Sequence, residues 1–123
     1  MIPKTYNLVD LGLMSLLLPE YLVEYFEVVG YEKRGEELHL FFEEKNDTPA
    51  EFGSVKLSSK GFLDEITIQD FPIRGQHAFL HIKRRRWLNH QTGKVVTRNW
   101  DLIAKGTRMT VEFASFLKEI RRF

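Results

Sequence analysis

The fold is decided by the stretch HAFLHIKRRRW, residues 77–87. Small or aliphatic residues alternate there with aromatic, histidine and lysine side chains, and this period of two predicts a β-strand. The aliphatic face of that strand consists of Ala78, Leu80 and Ile82. One face is therefore expected to pack on the core of the protein.

The end of the strand carries four consecutive cations. On the same register Arg84 and Arg86 continue the aliphatic face, while Lys83, Arg85 and Trp87 lie on the opposite face. Two arginines would not be buried without partners, because an unpaired buried charge is costly. The end of the strand is therefore expected to project beyond the body of the domain.

The sequence on either side predicts further strands. Residues 89–93, NHQTG, are typical of a turn, and residues 94–100, KVVTRNW, read as the returning strand of a β-hairpin. Residues 62–71 predict a preceding strand, which Pro72 ends, and Gly75 is suited to the bend that follows.

The first half of the chain predicts helices followed by a hairpin. Residues 8–18 have helical length and stop at Pro19, which also suits the first position of a short helix reaching Tyr25. Residues 27–43 predict two strands around a glycine-containing turn. Residues 44–60 contain clusters of turn residues and are expected to be the least regular part.

The C-terminal segment predicts an amphipathic helix capped by Thr107 or Thr110. Its apolar stripe comprises Met109, Phe113, Phe116, Leu117 and Ile120. With 123 residues, the chain is expected to form one domain over residues 1–123. The predicted class is α+β, with N-terminal helices, antiparallel β-hairpins and a C-terminal amphipathic helix.

The composition is polarised between the two halves of the chain. Residues 1–70 carry six Lys/Arg against fourteen Asp/Glu, a net charge of −8, and residues 71–123 carry twelve against three, a net charge of +9. An acidic half and a basic half in one small domain predict a polarised molecule, and the alternative is that the two halves attract each other within one fold. No run of apolar residues is long enough to span a membrane, so a cytoplasmic protein is expected.

The sequence contains few of the residues and motifs that indicate an enzyme. The chain has no cysteine, which excludes thiol nucleophiles and thiolate zinc sites. No phosphate-binding loop, nucleophile elbow or zinc protease motif is present. His77 and His81 are four residues apart, which on a strand separates them by about 13 Å, too far to share one metal ion. A metal-dependent nuclease would need acids such as Asp64, Glu65, Asp70 and Asp101 to converge, and nothing in the sequence brings them together.

The basic hairpin is the strongest candidate site, because a twisted ribbon can lie in a DNA groove with its cations on the phosphates. A solvated edge strand guarded against aggregation is the alternative. The predicted phosphate contacts are Arg74, Lys83, Arg84, Arg85, Arg86, Lys94, Arg98, Lys105 and Arg108. The candidate base readers are Asn89, His90, Gln91 and Asn99. Trp87 is included as a possible stacking residue, although indoles on strands more often pack.

Three segments resemble a known family. They are DEITIQDFPIRG at residues 64–75, the Arg85-Arg86-Trp87 step, and NWDLIAKGTRMT at residues 99–110. They are similar to the N-terminal region of ISAon-type insertion-sequence transposases, and the likeness covers most of the chain from about Leu17 onward. More distantly, they resemble the zinc-ribbon region that heads a broader class of transposases.

The resemblance implies a DNA-binding module that recognises the terminal inverted repeats of a transposon. Relatives in the broader class place zinc-binding cysteine pairs near residues 47–53 and 88–93, where this chain has none, so a metal-free ribbon with no cofactor is expected. The acidic catalytic triad would belong to a separate downstream portion, so no catalytic residue is assigned. The alternative is a protein-interaction module that docks an acidic partner or that catalytic portion. The sequence leaves the oligomeric state open.

Overall fold

Residues 12, 13, 15–73, 75–106 and 110–122 are described by a computed structural model of the protein. Within these ranges the chain forms two β-sheets accompanied by helices, which confirms the predicted α+β class. Of the helix predicted over residues 8–18, residues 12, 13, 15 and 16 are helical. Residues 17 and 18 form a turn and a bend, so the described helix stops before the predicted end, and residues 8–11 and 14 lie outside the described residues.

The first sheet has four strands and is entered through a short helix. Helix α1, Glu20–Tyr25, begins directly after Pro19, as the sequence predicts. Proline suits this position because the missing N–H is not needed in the first turn of a helix. The four strands are β1, Phe26–Arg34; β2, Glu37–Glu44; β4, Ile66–Ile73; and β5, Gln76–Lys83.

The strand order in this sheet is β1-β2-β5-β4. The β1–β2 and β4–β5 pairs are antiparallel hairpins, and Gly75 takes the positive φ of 76° that its turn requires. The central β2–β5 pair is parallel, with Leu40 opposite Leu80. The sequence predicted antiparallel hairpins and not this parallel pair. The two strands are joined by a long crossover, and no local sequence pattern reveals such a pairing.

The second sheet has three strands in the order β3-β6-β7. They are β3, Leu57–Phe62; β6, Arg85–Asn89; and β7, Val95–Thr97. The expectation that residues 44–60 lack regular structure is wrong for their last four residues. Ser58 and Ser59 form part of β3 because the strand pairs with β6, a contact between segments about thirty residues apart.

The basic stretch does not continue as one strand. β5 ends at Lys83, Arg84 lies between strands, and β6 belongs to the second sheet. The N–H of Leu63 donates to the carbonyl oxygen of Arg84 over 2.8 Å at this junction. The expected projection of the strand end beyond the domain is therefore wrong: the chain passes from one sheet into the other, and the side chains of residues 84–86 are half-buried.

Two helices complete the described fold. The predicted returning strand over 94–100 ends at Thr97, and Trp100 already belongs to helix α2, Trp100–Gly106. Helix α3, Val111–Ile120, starts after Thr110, whose hydroxyl accepts from the N–H of Phe113 over 3.1 Å. The buried residues of α3 are Phe113, Phe116, Leu117 and Ile120, which confirms the described part of the predicted stripe.

The main core lies between the helices and one face of the four-stranded sheet. Ala78, Leu80 and Ile82 are completely buried there, as their alternation predicts. Phe26 stacks on Trp100 with ring centroids 5.5 Å apart. Among the described residues, no helix combines the length and apolar character needed to cross a lipid bilayer.

Candidate nucleic-acid interface

The two faces of the three-stranded sheet differ in chemistry. Strand pairing sets Ser58, Leu88 and Val95 side by side, and Arg86 opposite Thr97. We call the side that carries these five residues the outer face. Since side chains alternate along a strand, residues 85, 87 and 89 lie on the inner face.

Trp87 on the inner face is a packing residue. Its side chain has no exposed surface, and its indole N–H donates to Asn46 Oδ1 over 2.9 Å. The guanidinium of Arg98 lies 5.7 Å from the centre of its ring. The structure therefore does not support Trp87 as a DNA-stacking residue, because its indole has no exposed surface to offer a base.

Asn89 on the inner face shapes the hairpin turn. Its side-chain oxygen accepts from the N–H groups of Gln91 and Thr92, at 2.9 and 3.3 Å, and the residue is 6% exposed. Gly93 completes the turn with a φ of 73°. The sequence predicts this turn correctly, but this geometry does not support a base contact by Asn89, since its side-chain oxygen is already used within the turn.

Two of the predicted phosphate ligands, Arg85 and Arg98, are hydrogen-bonded to Glu44. Arg98 Nε donates to Glu44 Oε2 over 2.7 Å, with the two side chains 10% and 1% exposed. The backbone N–H of Arg85 donates to Glu44 Oε1, and Arg85 Nε donates to the Glu44 carbonyl, both over 3.0 Å. Arg98 also donates to the carbonyl of Asp47 over 2.6 Å.

This arrangement makes Glu44 the link between the two sheets. Burial raises the pKa of the Glu44 carboxyl, and the hydrogen bonds and charges of Arg98 and Arg85 act in the opposite direction. Phosphate contact by Arg98 is not supported by this geometry, because its side chain is nine-tenths buried. Arg85 is held in the same way, and its guanidinium lies 4.6 Å from the centre of the Phe62 ring.

Other cations collect on the outer face and around the turn, where Lys56, Lys60 and Lys94 are exposed and Arg86 is half-buried. Arg86 Nη2 donates to the carbonyl of Lys60 over 3.1 Å, which places exposed Lys60 beside Arg86. The N–H of His90 donates to the carbonyl of Lys56 over 3.1 Å. The N–H of Asn89 donates to the carbonyl of Lys94 over 2.8 Å. We call the group formed by Lys56, His90, Gln91, Thr92 and Lys94 the turn end.

The turn end contains two of the predicted base readers. His90 and Gln91 are exposed, and His90 Nε2 lies 2.7 Å from the hydroxyl of Ser58. Lys56 and Lys60 were missed by the sequence reading, because they fall in a stretch expected to be loop. A signal was present: neither residues 55–63 nor residues 83–100 contain an Asp or Glu.

The other predicted contacts are scattered. Lys83 is exposed but belongs to the four-stranded sheet, where it lies opposite Glu43 in the register of β2 and β5. Lys105 is exposed on α2. Asn99 caps α2, its side-chain oxygen accepting from the N–H groups of Asp101 and Leu102 at 2.9 and 3.4 Å. Arg74 and Arg108 lie outside the described residues.

A second polar cluster occupies the four-stranded sheet. Parallel pairing brings His39 of β2 to His81 of β5, with His39 Nδ1 and His81 Nε2 2.7 Å apart. Glu37 Oε1 lies 3.0 Å from the far nitrogen of His39, and Thr67 Oγ1 and Glu65 Oε1 lie 3.1 and 3.4 Å from that of His81.

The surroundings of His81 lower its pKa. Burial lowers the pKa of His81, Glu65 raises it, and His39 and Arg34 lower it further. Among the described residues, no group of three or more His, Cys, Asp or Glu side chains is arranged to hold a metal ion. Asp101, one of the acids considered above for a metal-dependent nuclease, forms an ion pair with Arg121 over 3.1 Å.

Comparison of this chain with protein-family models, with curated proteins and with solved structures found no match. The resemblance to ISAon-type transposases therefore depends on the sequence motifs alone and stays a prediction.

Proposed function

We propose that this protein is a double-stranded DNA-binding module of a transposase and that it recognises the terminal inverted repeats of its element. The observation that carries the proposal is the charge of the three-stranded sheet. Its strands and the β6–β7 turn contain no acidic residue, while Lys56, Lys60, Arg86 and Lys94 gather on its outer face and turn end. No strand-transfer chemistry is part of the proposal.

The two parts of this surface have different tasks. The four cations bind phosphates, which fixes the position of the protein on the duplex without reading sequence. His90 and Gln91 at the turn end extend towards the base edges of the groove, where imidazole and amide groups can donate and accept hydrogen bonds. A cytoplasmic location, where such DNA would be met, belongs to the same proposal.

A fluorescence titration with a duplex carrying the terminal repeat tests the proposal. Four phosphate contacts should give a slope of about −3 to −4 in a plot of log affinity against log salt concentration. Lys56→Glu and Lys94→Glu should each weaken binding and make the slope about one contact less steep. The matched control is Lys33→Glu, which makes the same charge change at an exposed position of β1.

Two results would contradict DNA binding by this surface. One is the absence of binding at low salt. The other is an equal loss of affinity in the Lys33 control, which would show that only the net charge of the protein matters. A scrambled duplex of equal length separates recognition of the repeat from general attraction to DNA, since phosphate contacts are common to both.

The second candidate is docking of an acidic protein partner, such as the separate catalytic portion of the transposase. The observation that favours it is Val95, which lies among the cations of the outer face and is 47% exposed. An apolar side chain inside a charged surface suits a protein interface better than a phosphate backbone. Val95→Ser should weaken protein docking and leave the salt dependence of DNA binding unchanged.

A further inference from the structure

A groove lies beside β7, whose three residues line it. It has a volume of about 550 Å³ and runs between the 3-10 turn at Ala50–Phe52, strand β7 and the ends of α2 and α3. The polar and charged side chains in its lining are Glu51, Arg84, Thr97, Arg98, Asn99, Asp101 and Arg121. Ligand pockets commonly have volumes of roughly 300–1,000 Å³.

Arg84 is the residue in this groove without an internal partner. Its side chain is half-buried, and its Nε is buried with no hydrogen-bond partner among the described residues. Burial lowers the pKa of Arg84, and the charge of Glu44 raises it. A guanidinium that has lost water and gained no acceptor is destabilised, so it favours an anion from outside.

The other two arginines of the groove have carboxylate partners. Glu44 binds Arg98, and Arg121 binds Asp101 over 3.1 Å. Glu51 Oε1 accepts from the N–H of Asn99 over 3.1 Å. Arg84 is therefore the arginine of this groove that has no carboxylate partner among the described residues, and exposed Glu51 is the carboxylate there without an arginine partner.

We propose that this groove binds a phosphate group, with the guanidinium of Arg84 as the main ligand. A guanidinium presents parallel N–H donors that match two oxygens of a phosphate. Thr97 and the side-chain amide of Asn99 line the same groove and supply neutral donors. The groove is several times larger than a phosphate ion, so the phosphate can be attached to a sugar or a longer chain.

The phosphate can come from two sources. Thr97 lies on the outer face opposite Arg86 and also lines the groove. A duplex bound on the outer face would thus bring its backbone to the groove, and this version rests on the proposed DNA-binding function. A free phosphomonoester or inorganic phosphate is the other source, and it requires no DNA binding.

The test is an NMR titration of the whole protein with inorganic phosphate at low ionic strength. Trp100 is one of the residues that line the groove, and its indole N–H signal serves as a reporter. The wild-type protein should show saturable shifts there, and Arg84→Gln should weaken phosphate binding by about tenfold or more, because charged hydrogen bonds are lost. Arg84→Lys keeps the charge but lacks the two parallel N–H donors. Its phosphate affinity should lie between those of the wild-type protein and Arg84→Gln.

The control is Arg122→Gln, which removes a cation that is 66% exposed outside the groove lining. It should bind phosphate as the wild-type protein does. Because Arg84 has no internal acceptor, Arg84→Gln should unfold at the same denaturant concentration as the wild-type protein or a higher one. If the glutamine variant does not fold, the lysine variant gives the comparison.

A second titration, with duplex DNA, separates the sources. A backbone phosphate predicts weaker DNA binding in Arg84→Gln and a salt slope smaller by about 0.9. A free phosphate predicts unchanged DNA binding by that variant. The phosphate site is overturned if Trp100 does not respond to phosphate, or if Arg122→Gln loses as much phosphate affinity as Arg84→Gln.

Discussion

Removing the charge of Glu44 should destabilise the protein far more than removing an exposed charge. The ion pair between Glu44 and Arg98 has an Nε···Oε2 distance of 2.7 Å, with side chains 1% and 10% exposed. Breaking such a pair from one side costs about 3–5 kcal/mol, because the remaining charge stays buried without its partner. Glu44→Gln keeps the size of the side chain, so it isolates the electrostatic part of the loss.

The expected change is large relative to the stability of a domain this size, which is about 5–15 kcal/mol. Urea unfolding followed by tryptophan fluorescence measures it, since Trp87 and Trp100 are both buried. The matched control is Arg122→Ala, which breaks the exposed Glu119–Arg122 pair. That change should cost less than about 1 kcal/mol, because solvent screens exposed ion pairs.

The double variant Glu44→Gln/Arg98→Met should recover much of the lost free energy of unfolding. Removing both charges eliminates the unpaired guanidinium, and an apolar chain of similar length fills its space. A loss of less than about 1 kcal/mol in Glu44→Gln would refute the reasoning, since that value is typical of exposed pairs. Failure of the double variant to recover would show that shape, and not charge, links the sheets.

Two further predictions concern stability. Because burial lowers the pKa of His81, opposed by Glu65 and reinforced by His39 and Arg34, the folded protein binds fewer protons than the unfolded one just below the ordinary histidine value of 6.5. The free energy of unfolding should therefore fall as the pH decreases from 6.5, and His81→Gln should flatten that dependence in urea titrations across pH; an unchanged slope would contradict it. Thr110→Ala should lower the free energy of unfolding by about 1 kcal/mol, because the cap of α3 is lost. Thr110→Ser should retain the cap and the stability. Equal losses in both variants would count against the cap.

The sequence predicted those elements whose cause is local. α1 begins directly after Pro19, the alternation in residues 76–83 gives β5 with its buried aliphatic face, and the apolar stripe gives α3. Gly75 and Gly93 take the positive φ values that their turns require. Each of these depends on a few neighbouring residues, so a pattern in the chain is sufficient to reveal it.

Other elements depend on distant partners and were missed. β3 exists because it pairs with β6, and β2 lies beside β5 through a parallel contact that sequence alternation does not specify. Helix α2 replaces the end of a predicted strand. The available signal was Asn99, a residue type preferred at helix N-caps, but the neighbouring valines favoured a strand.

By itself, the sequence determined that one part of the chain would be strongly basic and that its turn would form. Only the tertiary structure decided which of those cations face solvent. Glu44, distant in sequence, folds against Arg85 and Arg98 and binds both, while packing removes Trp87 from the surface. The reason is physical: a charge is available to a partner only if the fold leaves it hydrated and unpaired, and pairing depends on contacts that no local pattern contains.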